Sequence, residues 1–404
     1  MGVDVDTCLE RVHALEPTIH AWVQVAPQPP TGDGPLAGVP FGAKDIIETR
    51  GLATEYGSPI YKGRIGTHDA AIIELLRSRG AILFGKTQTT AFAYRTPPPT
   101  RNPHNLEHTP GGSSSGSAAA VAAGMIPFAI GTQTQGSVLR PASYCGVTGF
   151  KPSFGVLPRD GVLPVASTLD TLGLFTQSPG EMLELWQAMG YDVNETGECS
   201  IGFVDPLPPV DAPMRARFDQ AIAQLRRAGL SLQAIDLVDM LASLMQANTT
   251  VMFYEAARVH EQRYREYGDR LEHLAILIRD GLSMPQSQYE QARAHIRHCQ
   301  LTLPEMFRAT PVILLPAATG PAPEGLAWTG DASMNAPWTA LGTPAISIPL
   351  PVDGLPLGLQ IVADRGDDGR VLRIAARVHE ILAVPGFGFP VPGSGSSSSK
   401  NAGP

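Results

Sequence analysis

Apolar residues recur along this chain with two different periods, and the alternation of the two predicts its elements. Near the start, Val5, Leu9, Val12 and Leu15 return every three or four positions, which predicts a short amphipathic helix within residues 4–25. Ile72, Ile73, Leu75 and Leu76 repeat that spacing in a helix over 69–80, with Gly80 as its stop. Short unbroken apolar runs predict buried strands at AILFG (81–85), PFAIG (127–131), CSIGFVD (199–205), VILLP (312–316), AISIPL (345–350) and GLQIVA (358–363). Long helical patterns fill 213–228, 238–268, 287–309 and 369–383. Strands interleaved with helices in this way predict an α/β layered fold.

Between these elements lie stretches that cannot be regular. RTPPPTRNPHN (95–105) loses backbone donors at its prolines and restricts the residues before them. A Pro/Gly-rich loop at 27–36 leads into GVPFGAKD. GGSSSGS (111–117) reads as a turn before an Ala-rich helix, Ala118 to Ala123, that ends at Gly124. The tail PGSGSSSSKNAGP is low in complexity and predicts a disordered end or linker over 389–404. No internal repeat is visible.

Composition narrows the function classes. The chain has 404 residues, 43% of them hydrophobic, which is ample for a large core. Its formal charge of -8 and the lack of a basic stripe argue against nucleic acid as a partner. No apolar stretch approaches the roughly 20 residues of a spanning helix, so no membrane role is expected. The polar N-terminus does not resemble a signal peptide. Cys8, Cys145, Cys199 and Cys299 are scattered, without CxxC or histidine ligand spacing. That predicts neither a disulfide framework nor a metal site, and a reducing, cytoplasmic setting.

Three segments carry candidate chemistry. LAGVPFGAKD (36–45) places Lys44 after an apolar run. TPGGSSSGSAAAVAAG (109–124) gathers serines on a tight turn at a helix start, and GTQTQGSVLRPASYCGVTGFKPS (131–153) puts Ser137 on a second turn after a strand. A hydroxyl nucleophile needs a base and backbone donors aimed at the developing oxyanion. The N–H groups of Thr134, Gln135, Gly136 and Ser137 are candidates for those donors. Neither serine turn holds a histidine or carboxylate, so a buried lysine, its pKa lowered by desolvation, is the remaining nearby base. Read singly, each feature is ordinary: a Gly/Ser turn before a helix is a cap, and a lone lysine is a surface residue. GGSSSGS also lacks the Gly-Lys-Ser/Thr of a phosphate-binding loop. Cys145, His104 and His108 read as structural, and Met252, Phe253 and Tyr254 as helix core.

Together these segments resemble the amidase signature family, whose hydrolases use a Ser–cis-Ser–Lys triad. The resemblance runs through 36–178 and resumes in TGDASMNAPWTALGTPAISIPL (329–350) and GLPLGLQIVADRGDD (354–368). It implies a large mixed central β-sheet covered by helices on both faces. It implies one amidase domain over 1–388, with a catalytic core at 36–178 and a variable helical substrate wall at about 206–300. It assigns Lys44 as base, Ser113 as the cis-peptide serine and Ser137 as nucleophile, with Ser114, Gln133 and Arg140 in support. No cofactor and no metal are implied.

The chain departs from the family's common Gly-Thr-Asp-Thr-Gly-Gly-Ser-Ile-Arg pattern. Gln133 replaces the aspartate, Gln135 a glycine, and Leu139 the arginine, while Arg140 follows one place later. An acid and a base have gone together, an exchange of a buried ion pair for a neutral arrangement. The expected function is therefore hydrolysis of small neutral amides, esters or carbamates, in the manner of a urethanase or aryl acylamidase, by a monomer or homodimer. Gln135 is expected to reach the substrate. The alternatives are one subunit of an amidotransferase working with partners on charged transfer RNA, or a non-catalytic binding protein on the same fold.

Overall fold

A computed structural model describes residues 2–193 and 200–383. Cys199 and the low-complexity tail at 389–404 lie outside the described residues. Eleven strands form one sheet: β1 (Trp22–Gln28), β2 (Pro40–Lys44), β3 (Ile82–Thr87), β4 (Phe128–Gln133), β5 (Thr148–Lys151), β6 (Thr171–Thr176), β7 (Ile201–Val204), β8 (Leu232–Ile235), β9 (Val312–Pro316), β10 (Ala345–Leu350) and β11 (Leu357–Ala363). Their order is β1-β3-β2-β4-β6-β5-β10-β11-β9-β7-β8. β2 runs parallel to β3 and β4, and β7 parallel to β8 and β9. The other pairings are antiparallel, so the sheet is mixed, as the resemblance implied.

The helices are α1 (Val5–Ile19), α2 (Ala71–Ser78), α3 (Ser115–Ala122), α4 (Leu139–Cys145), α5 (Pro179–Ala188), α6 (Ala212–Arg227), α7 (Val238–Tyr267), α8 (His273–Ser283), α9 (Gln286–Ala309), α10 (Ala336–Leu341) and α11 (Asp368–Leu382). They cover both faces. Alternation along β4 shows it: Phe128 and Ile130 belong to the larger apolar cluster with α2 and α5, while Ala129 belongs to a second one with α1 and α3. Among the described residues no helix is long and apolar enough to cross a membrane.

The first helix, Val5–Ile19, lies within 4–25 and carries all four apolar positions of the pattern. His20 takes a left-handed conformation, and Glu16 accepts the N–H groups of Ala21 and Trp22, which ends the helix. WVQVAPQ then pairs antiparallel with β3 as an edge strand. The Ala-rich helix starts earlier than expected, at Ser115, so the serine turn is partly its first turn. The apolar pattern does not predict β2, β5, β6, β8, α4, α5, α8 or α10. Of these, α5 is well signposted: Ser178 and Glu181 form a capping box, with Pro179 at the first helical position.

Candidate active site

β2 and β4 are adjacent parallel strands, so their C-terminal ends lie side by side. Lys44 is the last residue of β2, and Thr132 and Gln133 close β4. The Lys44 amine is fully buried and donates to Ser113 Oγ and to Thr132 Oγ1, both at 2.7 Å. Burial holds its pKa well below the usual lysine value, against the opposing charge of Asp170. A lysine so placed can be neutral and can accept a proton.

The turn before α3 separates its serines by task. Ser114 Oγ donates to Thr132 O at 3.2 Å and accepts Thr132 N at 3.3 Å, stapling the turn to β4. Ser115 Oγ donates to Gly111 O, and Ser117 Oγ to Ile130 O. Ser113 is the one that meets Lys44, and the Gly112–Ser113 peptide is cis. Ser113 and Ser137 both line a cavity of about 310 Å³.

After β4 the chain turns sharply through Thr134 to Ser137 and enters α4. Gln133 Oε1 accepts the N–H groups of Val138 and Leu139 at 2.8 and 3.0 Å. Its Nε2 donates to Thr339 Oγ1 at 2.9 Å. Among the described residues the N–H groups of Thr134, Gln135, Gly136 and Ser137 have no acceptor in the protein. They are the free donors that an oxyanion requires. Gly136 has to be glycine, since a Cβ there would lie 2.6 Å from Asn335 Oδ1. Arg140 Nη2 donates to Gly112 O at 2.7 Å and to Thr329 Oγ1 at 3.4 Å, so it buttresses the cis peptide and also lines the cavity.

The structure sends the Gln135 side chain sideways as well as into the cavity wall. Its Nε2 donates to Asn248 Oδ1 and Thr249 Oγ1 of α7 at 3.1 and 3.2 Å. Asn248 Nδ2 in turn donates to Thr134 O and Ala336 O. The 206–300 stretch thus touches the Thr134–Ser137 turn, and its Met245 and Met252 line the cavity.

Three functional contacts escape the sequence pattern. Thr132, the second partner of Lys44, sits inside the GTQTQGS motif. Asp170 accepts Thr134 Oγ1 at 2.6 Å and the N–H groups of Val165 and Ala166. Desolvation pushes its carboxyl up to about 6. Its one clue is its place just before β6, whose Thr171 pairs with Gln133. Asn248 gives no local signal.

Of the residues read as structural, Met252 lines the cavity, while Cys145, His104, His108 and Tyr254 do not. Cys145 is buried, its thiol pKa raised by burial, with Sγ at 3.4 Å from Pro110 O. His104 bonds Cys145 O at 2.9 Å, and His108 bonds Ala322 O at 2.8 Å. Tyr254 stacks on Tyr289.

Comparison with known proteins agrees with this geometry. Residues 5–372 match the model of the family described as Amidase. A curated relative, a glutamyl-tRNA(Gln) amidotransferase subunit of Exiguobacterium sibiricum, is 32% identical, covering 88% of this chain and 86% of its own. A crystal structure of an amidase superposes with a TM-score of 0.83 at 27% identity, over 94% of this chain and 95% of that one. The crystal structure of the corresponding glutamyl-tRNA(Gln) amidotransferase subunit from Thermotoga maritima gives 0.78 at 26% identity, over 94% of each chain. Names that specify transfer RNA stand against the charge-based expectation of no nucleic-acid partner.

Proposed function

The chain belongs to the amidase family of carbon–nitrogen hydrolases, and from that premise we propose that it cleaves small amides through an acyl-enzyme on Ser137. The observation that carries the reading is a fully buried lysine, 2.7 Å from Ser113 Oγ, beside a cavity shared with Ser137. Neutral Lys44 takes the Ser113 proton as Ser113 takes that of Ser137. Ser137 Oγ attacks the carbonyl carbon, and the displaced electron pair rests on an oxyanion held by the free N–H groups of 134–137. Collapse breaks the C–N bond, and the leaving nitrogen receives a proton from Ser113, which Lys44 replenishes. Water then repeats the sequence and frees the acid.

Labelling by a fluorophosphonate probe, lost in Ser137→Ala, tests the nucleophile. A panel of amides, esters and carbamates compared by kcat/KM tests the substrate class. Near-wild-type hydrolysis by Ser137→Ala or Lys44→Ala would sink the assignment. The exchange at Gln133 and Leu139 speaks for a neutral amide or carbamate; the guanidinium of Arg140 on the cavity wall speaks for an anionic one.

The curated relatives favour a second reading over a stand-alone enzyme. In it the same hydrolysis serves an amidotransferase assembly acting on charged transfer RNA, with this chain as one component. Partner chains that co-purify from the native source would support it. Full turnover by the chain purified alone, unchanged by added lysate and transfer RNA, would count against it.

A further inference from the structure

A second hollow, of about 690 Å³, shares no lining residue with the active-site cavity. α6 contributes Pro213 and Ala216 to it, and the β10–β11 turn with the first residue of β11 contributes Val352, Leu355 and Leu357. Pro213 and Ala216 are exposed, and Val352 and Leu355 are half-buried. Contiguous apolar surface left open in this way marks a place where something binds. Three side-chain donors of α6 border it: Arg217, Gln220 and Gln224. Arg217 Nη1 donates to Gln220 Oε1 at 3.3 Å, while its Nε is buried and, among the described residues, has no hydrogen-bond partner. Asp353 is the acid on the lining, and among the described residues it forms no ion pair with Arg217. The end of α11 meets this rim, where Gln224 Nε2 donates to Ile381 O at 2.9 Å. Ala383 then leaves the helix with extended backbone, φ -70° and ψ 99°. Next in sequence comes VPGFGFPVP (384–392), which has two phenylalanines and no charge and lies outside the described residues.

We propose that this segment of the chain itself, anchored by Phe387 and Phe389, occupies the hollow between α6 and the β10–β11 turn. The chemistry of the two sides is complementary. Pro385, Pro390 and Pro392 lack N–H groups, so the segment brings nine carbonyl acceptors against six donors. That surplus meets an α6 rim that offers donors, the open Arg217 Nε first among them. The phenylalanine rings meet the proline, valine and leucine side chains of the lining. Reach is sufficient. From Gln224 to Pro213 is eleven residues of helix, about 16 Å, and the six residues from Ala383 to Phe389 span up to about 20 Å. The apolar content also stops within that reach, because a run of glycine and serine follows at 393–399. Attachment to α11 holds the segment at an effective concentration of about a millimolar, so it reaches the hollow ahead of a second copy or a separate partner.

The test uses the full chain and the synthetic peptide VPGFGFPVP. Phe387→Ala/Phe389→Ala removes the anchors and should vacate the hollow, so by calorimetry this variant should bind the peptide. The wild type should bind it at least about tenfold more weakly, because its own segment competes. Adding Ala216→Trp to the double variant should weaken peptide binding by about tenfold or more. Ala216 is exposed on α6, so a tryptophan there fills the hollow without entering the core. Hydrogen exchange gives a second readout without added peptide. Phe387→Ala/Phe389→Ala should speed exchange in 351–357 and leave β2 and β4 unchanged. Equal binding of the peptide by wild type and double variant overturns the proposal, as does binding by neither or binding that Ala216→Trp leaves intact. Unchanged exchange in 351–357 overturns it as well. A full chain that sediments as a dimer, broken by Ala216→Trp but not by Phe387→Ala/Phe389→Ala, gives the hollow to a second copy and also overturns it.

Discussion

Replacing Asn248 by alanine isolates the contact between the cavity wall and the Thr134–Ser137 turn, which carries the proposed nucleophile. Asn248 is fully buried on α7. Its Nδ2 donates to Thr134 O and Ala336 O at 3.2 Å each, and its Oδ1 accepts Gln135 Nε2 at 3.1 Å. Alanine removes all three bonds. Gln135 keeps Thr249 Oγ1, but the Thr134 carbonyl loses its side-chain partner. One orphaned buried acceptor plus a small cavity amounts to about 2–4 kcal/mol, read as a lower urea midpoint. Catalysis should suffer separately. The Thr134 carbonyl and the Gln135 N–H belong to one rigid peptide plane and point in opposite directions. Asn248, by holding the carbonyl, fixes the direction of that N–H, one of the proposed oxyanion donors. Loss of one oxyanion donor costs about 10²–10³ in kcat, so partial release of this one should cost about 10–100-fold, with KM little changed. The assay is steady-state kinetics on the preferred amide, at a temperature where the urea curve shows the variant folded. Asn248→Asp keeps the acceptor and loses the donor, so it should share the kcat defect. A less stable Asn248→Ala with kcat within about twofold of wild type would refute the peptide-orientation argument.

Two pH predictions concern buried groups. Burial lowers the Lys44 pKa and the Asp170 charge opposes that lowering, so Asp170→Asn should lower it further. The acid limb of kcat/KM should move to lower pH, and an unmoved limb would count against Lys44 as the base. His260 on α7 is held down to about 3 by burial, with Arg263 beside it. The fold accommodates the neutral ring, so its contribution is whole above the unfolded value of about 6.5 and is lost as pH falls toward 3. His260→Phe should flatten the decline of the urea midpoint across that window; an unchanged slope would show that other groups set it.

Legibility in the sequence follows burial and local repetition. VILLP and AISIPL are continuous apolar runs because both faces of β9 and β10 are covered, and the pattern predicts them at the observed bounds. PFGAK does not read as a strand, because it is short and ends in a lysine. Such a residue is tolerable in a core only where Ser113 and Thr132 meet it, and neither is near in sequence. α4, LRPASYC, is buried all round, Arg140 included, so it carries no amphipathic stripe. Trp22–Gln28 is an edge strand that is only partly buried beyond Trp22, so no continuous apolar run marks it in the sequence. In the site, residue chemistry narrows the search to two serine turns and a lysine. The choice of Ser113 among its neighbours comes from family resemblance. Its physical basis is three-dimensional: Ser114, Ser115 and Ser117 each donate to a backbone carbonyl. Asn248 lies more than a hundred residues beyond the turn it serves, and only the fold brings it there.

The substitutions at 133, 139 and 140 make sense as one change. An aspartate at 133 could accept the Val138 and Leu139 N–H groups, but its charge would need a nearby cation. Gln133 accepts both N–H groups with its oxygen and adds a bond to Thr339 that a carboxylate could not donate. The turn therefore holds without a counter-charge, and residue 139 is free to be leucine, buried in the larger apolar cluster. One residue onward is a rotation of about 100° around α4. That rotation carries the arginine from the packed side of the turn to the cavity wall, where Gly112 anchors one nitrogen and Nε stays open. The cation has not been lost from this turn. At 140 it still steadies backbone, through the Gly112 carbonyl before Ser113, and it also faces the cavity that Ser113 and Ser137 share.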